Sequence, residues 1–123
     1  GESIELFGGG EQRRDCLFVD DVVDAILAAS APEANGAVYN VGHVRSHSLK
    51  EIADTLVGLA GTGSEVIATP WPPVHRRIDI GSFETDSTAI RTALGWAPTV
   101  DLADGLRRTL DFYRDRPWYL SST

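Results

Sequence analysis

The sequence has few of the features that mark a secreted, membrane-spanning or nucleic-acid-binding protein. It contains a single cysteine, Cys16, so no disulfide can form within the chain and nothing indicates an oxidising compartment. No apolar run approaches the ~20 residues that a membrane span requires, and no basic stretch precedes an apolar one at the start. We therefore expect a cytoplasmic protein.

Positive charge is scarce as well. Eleven lysine and arginine residues stand against 18 acidic residues, for a formal net charge of -7. Nucleic acids and anionic membranes attract proteins through an extended positive surface, so neither is an expected partner. The 123 residues are 42% hydrophobic and 24% charged, which is a globular composition, and their number predicts one domain over residues 1–123.

Apolar periodicity and turn residues predict an α/β domain with four helices and about four short strands. The strands are expected at residues 4–7, 16–19, 38–41 and 65–69. The side chains expected to cap the helix starts are Asp20, Ser48, Asp86 and Asp101. Ser48 and Glu51 have the spacing of a capping box, which predicts a helix that Gly61 then ends.

Sequence patterns for catalysis and for metal binding are missing. The glycine run at 8–10 does not fit the dinucleotide pattern G-x-G-x-x-G, because Arg13 stands where the last glycine would be, and a flexible turn is predicted instead. His43 and His47 precede a helix cap, so they are not expected to share a helical face as metal ligands. We therefore predict no catalytic, cofactor-binding or metal-binding residue in this chain.

Several polar and reactive side chains have structural explanations. Asp20, Asp21 and Asp24 fall at the start of an expected helix, where carboxylates cap amides and interact with the helix dipole. Cys16 lies in an expected apolar strand and is predicted to be a small buried side chain. The three tryptophans flank proline-containing turns and are expected to be packing residues.

Two arginine doublets stand out on this acidic chain. They are Arg13-Arg14 and Arg76-Arg77, and both fall in segments that are expected to be loops. Guanidinium groups are suited to bidentate contact with phosphate oxygens. The residues alone leave two interpretations open, which are solvated surface charge and a site for a phosphate-containing ligand.

Four stretches of the chain follow one another in a recognisable order. They are FGGGEQRRDCLFVDDVVDAI (residues 7–26), GAVYNVG (36–42), SLKEIADTL (48–56) and TDSTAIRTALGWAPTVDLADGLRRTLDFY (85–113). In this order and spacing they resemble the carboxy-terminal third of the extended short-chain dehydrogenase/reductases, whose members include UDP-galactose 4-epimerases and dTDP-glucose 4,6-dehydratases. The arginine–aspartate pair, the YN(V/I)G strand and the LGW helix carry the resemblance.

The resemblance implies a fold and a function. In this family an amino-terminal Rossmann half binds NAD and carries a Tyr-x-x-x-Lys pair, and the carboxy-terminal part binds the nucleoside diphosphate of the substrate. Lys50 is the only lysine here, and no tyrosine lies four residues before it. We therefore expect the α/β substrate-binding portion of an NAD-dependent epimerase/dehydratase, with a 4-epimerase favoured and the NAD-binding half absent. This portion alone is predicted to be inactive.

The resemblance also implies binding roles for five residues. Arg14, of the arginine–aspartate pair, and Arg76 match the family's contacts to the substrate diphosphate. Asp79 falls where the family contacts the nucleotide ribose, and Asn40 lies near the same nucleotide. Phe7 occupies the position that packs on the base. The implied ligand is therefore a nucleoside-diphosphate sugar.

Three positions depart from the family's pattern. The segment HRRID replaces the common R-P-G-D form, which leaves open whether Arg76 or Arg77 faces the phosphate. Ala89 replaces the usual lysine before the LGW helix, so that position supplies no charge. Cys16 stands where an aromatic residue often follows the arginine–aspartate pair, and this change is expected to loosen nucleotide contacts.

Two other functions stay open at this point. The chain could be a stand-alone nucleotide-sugar-binding module without catalysis, or an interaction protein whose arginines are surface charge. If the family's other half is absent, apolar faces of the predicted sheet and helices are left unpaired. Unpaired faces of this kind favour self-association.

Overall fold

The computed structural model of the chain describes residues 2–119, so residue 1 and residues 120–123 of the predicted domain lie outside the described residues. Its strands are β1 Ile4–Phe7, β2 Arg13–Arg14, β3 His47–Ser48 and β4 Val66–Thr69. Its helices are α1 Val19–Ala28, α2 Leu49–Ala60, α3 Pro73–Ile78, α4 Thr88–Leu94 and α5 Leu102–Arg114. Short 3-10 turns lie at Gly8–Gly10, Pro32–Ala34 and Pro117–Tyr119. The predicted α/β class is confirmed.

The strands form two small pairs. Strands β1 and β4 are parallel, with Ile4 opposite Val66 and Phe7 opposite Thr69. Strands β2 and β3 are antiparallel, with Arg14 opposite His47. Helix α2 packs against both β1 and β4 and also against α5. Helix α2 also contacts β3, which directly precedes it. The helix therefore touches both strand pairs, the one that ends at Phe7 and the one that carries Arg13 and Arg14.

Helix α2 begins and ends as its sequence predicts. The Ser48 hydroxyl accepts a hydrogen bond from Glu51 N (3.0 Å), and the Glu51 carboxylate accepts one from Ser48 N (2.7 Å), so the capping box is confirmed. The hydrogen bond from Ser48 N lowers the pKa of Glu51. Gly61, with φ of 64°, ends the helix in the left-handed conformation that glycine adopts readily. Asp101 likewise caps α5 by accepting from Asp104 N (2.9 Å).

Two predicted strands are wrong. Residues 16–19 do not form a strand, because the backbone pairing of this region occurs earlier, at β2, and α1 already begins at Val19. Residues 38–41 belong to no strand among residues 2–119, and Val38 is 92% exposed. β-Branched and aromatic residues favour a strand only where a neighbouring strand completes the hydrogen-bond ladder.

Three predictions about helices need correction as well. Asp20 lies inside the first turn of α1, whose capping position is Phe18. Residues 76 and 77 were expected in a loop but lie in α3, where Pro73 at the first helical position suits the start of a helix. Asp86 lies one residue before the capping position of α4 and accepts from Thr88 N at 2.9 Å.

A small core joins α1 to α4. Ala25, Ile90 and Trp96 are buried, and Leu17, Ala28, Tyr39 and Leu94 pack around them. The packing role expected of the tryptophans is confirmed for Trp96, whose indole N–H donates to Asp21 O at 3.0 Å. None of the helices within residues 2–119 has the length and apolar character to cross a membrane.

Candidate functional site

Arg14 lies where β2 meets the segment 79–85. Its Nη1 donates to the carbonyl oxygens of Gly81 (2.6 Å) and Arg13 (2.7 Å). Its backbone forms a parallel bridge with Phe83, so the whole residue is attached to this segment. The side chain is half-buried, and its other guanidinium nitrogens have no partner within residues 2–119. Arg14 is therefore held in place with hydrogen-bond donors still available.

Asp79 is brought close to Arg14 through Gly81. The Asp79 carboxylate accepts a hydrogen bond from Gly81 N (3.1 Å), while Gly81 O accepts from Arg14. Gly81 has φ of 68°, a backbone conformation that other residues adopt only at a cost. A turn at one glycine therefore connects the residues expected to contact the diphosphate and the ribose.

Phe7 ends β1 and forms an aromatic cluster at the carboxyl edge of the β1–β4 pair. Its ring centroid is 5.6 Å from that of Trp71 and 5.4 Å from that of His75. Gly8 must lack a side chain here, since a Cβ would lie 2.2 Å from Trp71 Nε1. Because His75 lies in α3 beside Arg76, the cluster brings Phe7 next to the helix that carries the second arginine doublet.

The remaining predicted residues are exposed and have few contacts. Arg76 and Arg77 lie on α3 with no side-chain partner among residues 2–119, so the geometry leaves the choice between them open. Asn40 is exposed in the unpaired segment 38–41, and no hydrogen bond in the described part of the chain joins it to the other four residues. The structure thus brings Arg14 and Asp79 together, and Phe7 and α3 together, but it does not connect Asn40 to either pair.

Asp21 is the most important residue whose role the sequence analysis missed. It is 1% exposed, and its carboxylate accepts hydrogen bonds from Thr99 N (2.9 Å), Thr99 Oγ1 (2.9 Å) and Val100 N (3.1 Å). Burial would raise the pKa of Asp21, but these hydrogen bonds outweigh that effect and lower it. The capping and dipole explanation does not account for this carboxylate. The signal that could have singled it out is its place in the stretch 7–26 that resembles the family.

Arg13 was expected in a loop but lies in strand β2, and Cys16 was expected to be buried but is exposed. The Arg13 guanidinium contacts Ser46 and Glu84: Nε donates to Ser46 Oγ (2.9 Å), Nη2 donates to Ser46 O (2.6 Å), and the Glu84 carboxylate lies 3.6 Å from Nε. Cys16 is exposed, so its predicted burial is wrong: residues 16–18 lie outside any strand pair that would cover the side chain. Partial desolvation and the Asp15 carboxylate raise the pKa of the Cys16 thiol, which disfavours a reactive thiolate.

Three cavities lie away from these residues. They have volumes of about 110, 220 and 390 Å³ and are lined largely by α5, by the start of α1 and by the loop around His43. None is lined by the five predicted binding residues. Within residues 2–119, no group of three histidine, cysteine, aspartate or glutamate side chains is arranged to hold a metal ion. The candidate site therefore lies outside these three cavities, at β2, the segment 79–85, the end of β1 and α3.

Comparisons with known proteins identify relatives of the chain. Residues 1–42 match the model of the NAD dependent epimerase/dehydratase family. The chain is 36% identical over 118 residues to a UDP-glucose 4-epimerase of Mycolicibacterium smegmatis, covering 94% of the chain and 36% of that enzyme. It is 38% identical over 122 residues to a dTDP-glucose 4,6-dehydratase of Streptomyces griseus, covering 97% of the chain and 36% of that enzyme.

The fold is shared as well. A UDP-glucose 4-epimerase of Thermotoga maritima, solved with UDP-glucose, superposes with a TM-score of 0.81 at 30% identity, over 92% of this chain and 35% of that one. The resemblance to the extended short-chain dehydrogenase/reductases is confirmed. The fold class, as the carboxy-terminal portion of such an enzyme, is confirmed with it. The chain spans about a third of the length of these extended short-chain dehydrogenase/reductases.

Proposed function

We propose that residues 1–123 form one unit that binds the nucleoside diphosphate of a sugar substrate in an NAD-dependent epimerase/dehydratase. The observation that carries the proposal is the guanidinium of Arg14, anchored on Gly81 O beside Asp79 with donors left over. A preorganised guanidinium with unused N–H groups suits a diphosphate, because charge-assisted hydrogen bonds are among the strongest in proteins. Arg76, whose side chain is exposed, would supply the second positive charge.

The order of groups on this surface fits the ligand. A nucleoside diphosphate presents a base, a ribose and then two phosphates. The aromatic cluster at Phe7 would take the base, Asp79 the ribose, and Arg14 the diphosphate, and Gly81 connects the last two. Asn40 keeps its proposed place near the nucleotide, although no contact within residues 2–119 supports it. A 4-epimerase is the favoured activity, supported by the UDP-glucose 4-epimerases found both among the sequence relatives and among the solved structures.

The residues present do not fit NAD. A dinucleotide pyrophosphate requires a glycine-rich turn that opens directly into a helix amino terminus. Here the glycine turn Gly8–Gly10 leads into strand β2, and α1 begins only at Val19. We therefore place NAD in the part of the relatives that this chain does not span, and we expect no hydride chemistry from these residues alone.

Titration of the isotope-labelled chain with UDP, followed by NMR, tests the proposal at the weak affinities that half a site provides. We expect UDP to shift the amides of Arg14, Gly81 and Arg76. Alanine at residue 14 or 76 should weaken binding by about 1.5–3 kcal/mol, roughly ten- to a hundredfold, because each substitution removes a contact to charge. The double variant should lose less than the sum, since both side chains contact one diphosphate.

Controls separate this site from general surface charge. Arg13→Ala should change UDP affinity little, because its guanidinium contacts Ser46 and Glu84 and none of the five predicted binding residues. If the Arg14 and Arg76 variants bind UDP like the parent, the site assignment fails and the interaction-protein alternative gains. If Arg77→Ala weakens binding and Arg76→Ala does not, Arg77 is the second contact to the diphosphate in place of Arg76.

A further inference from the structure

The segment 79–85 is tied to β2 along its length. Arg13 donates its backbone N–H to Ser82 Oγ (3.1 Å), and Phe83 donates its backbone N–H to Arg13 O (3.0 Å). The side chain of Arg14 reaches back to Gly81 O (2.6 Å). These contacts lie between Gly81 and Phe83, and the next residue, Glu84, accepts a hydrogen bond from Ser46 Oγ and lies 3.6 Å from Arg13 Nε.

Asp15 makes the contact at the final residue of the segment. Its Oδ2 accepts a hydrogen bond from Thr85 N at 2.9 Å, in a partly buried position. The backbone of Gly42 lies against both groups: a Cβ added there would stand 2.4 Å from Asp15 Oδ2 and 2.4 Å from Thr85 Cβ. Gly42 does not have a positive φ, so glycine is required at this position for space and not for backbone conformation.

We infer that Asp15 is a positioning residue for the nucleotide site, and that Gly42 leaves the space in which its carboxylate holds Thr85. By fixing the end of the segment 79–85 on β2, the contact sets where Asp79 and Gly81 stand relative to Arg14. Asp15 itself does not touch the ligand. The inference rests on the proposed function, because it names a residue that shapes the same site.

Electrostatics and positioning predict opposite results, which makes the inference testable. The Asp15 carboxylate is next to Arg14 in sequence and would repel an anionic diphosphate. If charge alone mattered, Asp15→Ala and Asp15→Asn would both bind UDP more tightly. If positioning matters, Asp15→Ala binds more weakly, while Asp15→Asn, which keeps an oxygen to accept from Thr85 N, binds like the parent.

The experiment compares UDP titrations of the full chain and its variants by NMR, with circular dichroism as the check on folding. We expect Asp15→Ala to bind UDP about tenfold more weakly, the effect of losing one hydrogen bond that holds the site, and Asp15→Asn to stay within about twofold. Without ligand, the Gly81 and Thr85 amides should shift in Asp15→Ala and stay near their parental positions in Asp15→Asn. A merely structural role would lower stability without moving Gly81.

Substitutions at glycine residues test the same contact independently, because they leave the Asp15 carboxylate in place. Gly42→Ala should displace Thr85 and weaken UDP binding by about tenfold, since overpacking shifts the backbone. Gly58→Ala is the matched control: a Cβ at Gly58, within α2, has nothing within 4 Å, and UDP affinity should not change. If Asp15→Ala does not fold, Gly42→Ala takes its place in the comparison with Asp15→Asn.

The outcomes distinguish this inference from the proposed function. If Arg14→Ala binds UDP like the parent, the proposed function fails. If Arg14→Ala binds weakly while Asp15→Ala and Gly42→Ala bind like the parent or more tightly, only the positioning role is overturned. Equal weakening of Asp15→Ala and Asp15→Asn would also overturn it, because the oxygen acceptor would then not be the decisive group.

Discussion

The two faces of α1 differ sharply in exposure to solvent. On the inner face, Asp21 and Ala25 are 1% and 2% exposed. Ala25 packs with Ile90 of α4, and the Asp21 carboxylate accepts from the backbone of Thr99 and Val100. On the outer face, Ile26 and Leu27 are 65% and 62% exposed, although both are strongly apolar. Aliphatic side chains in a globular protein gain by leaving water, so a helix with two apolar faces is built to be covered on both. Residues 2–119 cover only one.

The comparison extends to the unpaired segment 38–41. Val38 is 92% exposed, and this segment has the sequence of a strand without a neighbouring strand among the described residues. The relatives are about three times as long as this chain. We propose that the outer face of α1 and the segment 38–41 pack against the part of the protein that the chain does not span, and that they self-associate when that part is missing.

Substitutions on the inner face of α1 should destabilise the protein more than those on the outer face, and Asp21→Ala should have the largest effect. Removal of the carboxylate leaves Thr99 N and Val100 N without their acceptor in a buried place, so we expect unfolding free energy to fall by about 2–4 kcal/mol. Urea denaturation measures the change. Asp20→Ala, one residue away and exposed, should cost far less; equal losses from the two variants would contradict a special role for the inner face.

Asp21 should also make stability depend on pH. Its pKa is lower in the folded protein than in the unfolded chain, so its contribution is complete above the unfolded pKa of about 4 and is lost as pH falls through the folded value. Denaturation curves at stepped pH should show this loss below about pH 4. In Asp21→Asn this part of the pH dependence should disappear, and an unchanged profile would exclude Asp21 as its source.

Adjacent apolar positions give the next largest contrast. Ala25→Leu adds volume to a packed core and should destabilise the chain by about 1–3 kcal/mol. Ile26→Ala removes volume from an exposed position and should change stability by no more than about 0.5 kcal/mol. Thermal unfolding of the two variants measures both changes in stability. A large loss from Ile26→Ala would mean that the outer face is covered within this chain.

The outer face should matter for association instead of stability. Replacing Val23 and Ile26 by serine should leave the free energy of unfolding within about 0.5 kcal/mol and reduce self-association, because the exposed apolar area shrinks. Sedimentation at increasing concentration measures the second effect. A parent chain that stays monomeric at high concentration would remove the reason for the prediction.

The smallest expected effect is that of NAD. If cofactor binding belongs to the part that covers the outer face, isothermal titration of this chain with NAD should give no heat of binding. The turn Gly8–Gly10 offers no helix amino terminus for a pyrophosphate. Micromolar affinity would show that the cofactor site does not depend on the uncovered surface.

Local sequence signals predicted much of the fold. Strands β1 and β4, the capping box at Ser48 and the helix end at Gly61 were all predicted, because each depends on residues close in sequence. The errors occur where distant partners decide. Residues 38–41 lack a neighbouring strand, and the pairing expected at 16–19 occurs at β2. The five binding residues came from the family motifs and stay predictions.

What the sequence determined by itself is the α/β class, the caps of α2 and α5 and the family, since capping groups and motif order are properties of neighbouring residues. Only the tertiary structure decided that Asp21 is a buried acceptor for Thr99 and Val100, that Arg14 and Asp79 meet at Gly81, and that Gly42 must admit the contact between Asp15 and Thr85. These contacts join residues up to 79 positions apart. Their geometry depends on how helices and strands pack in space, which no local pattern specifies.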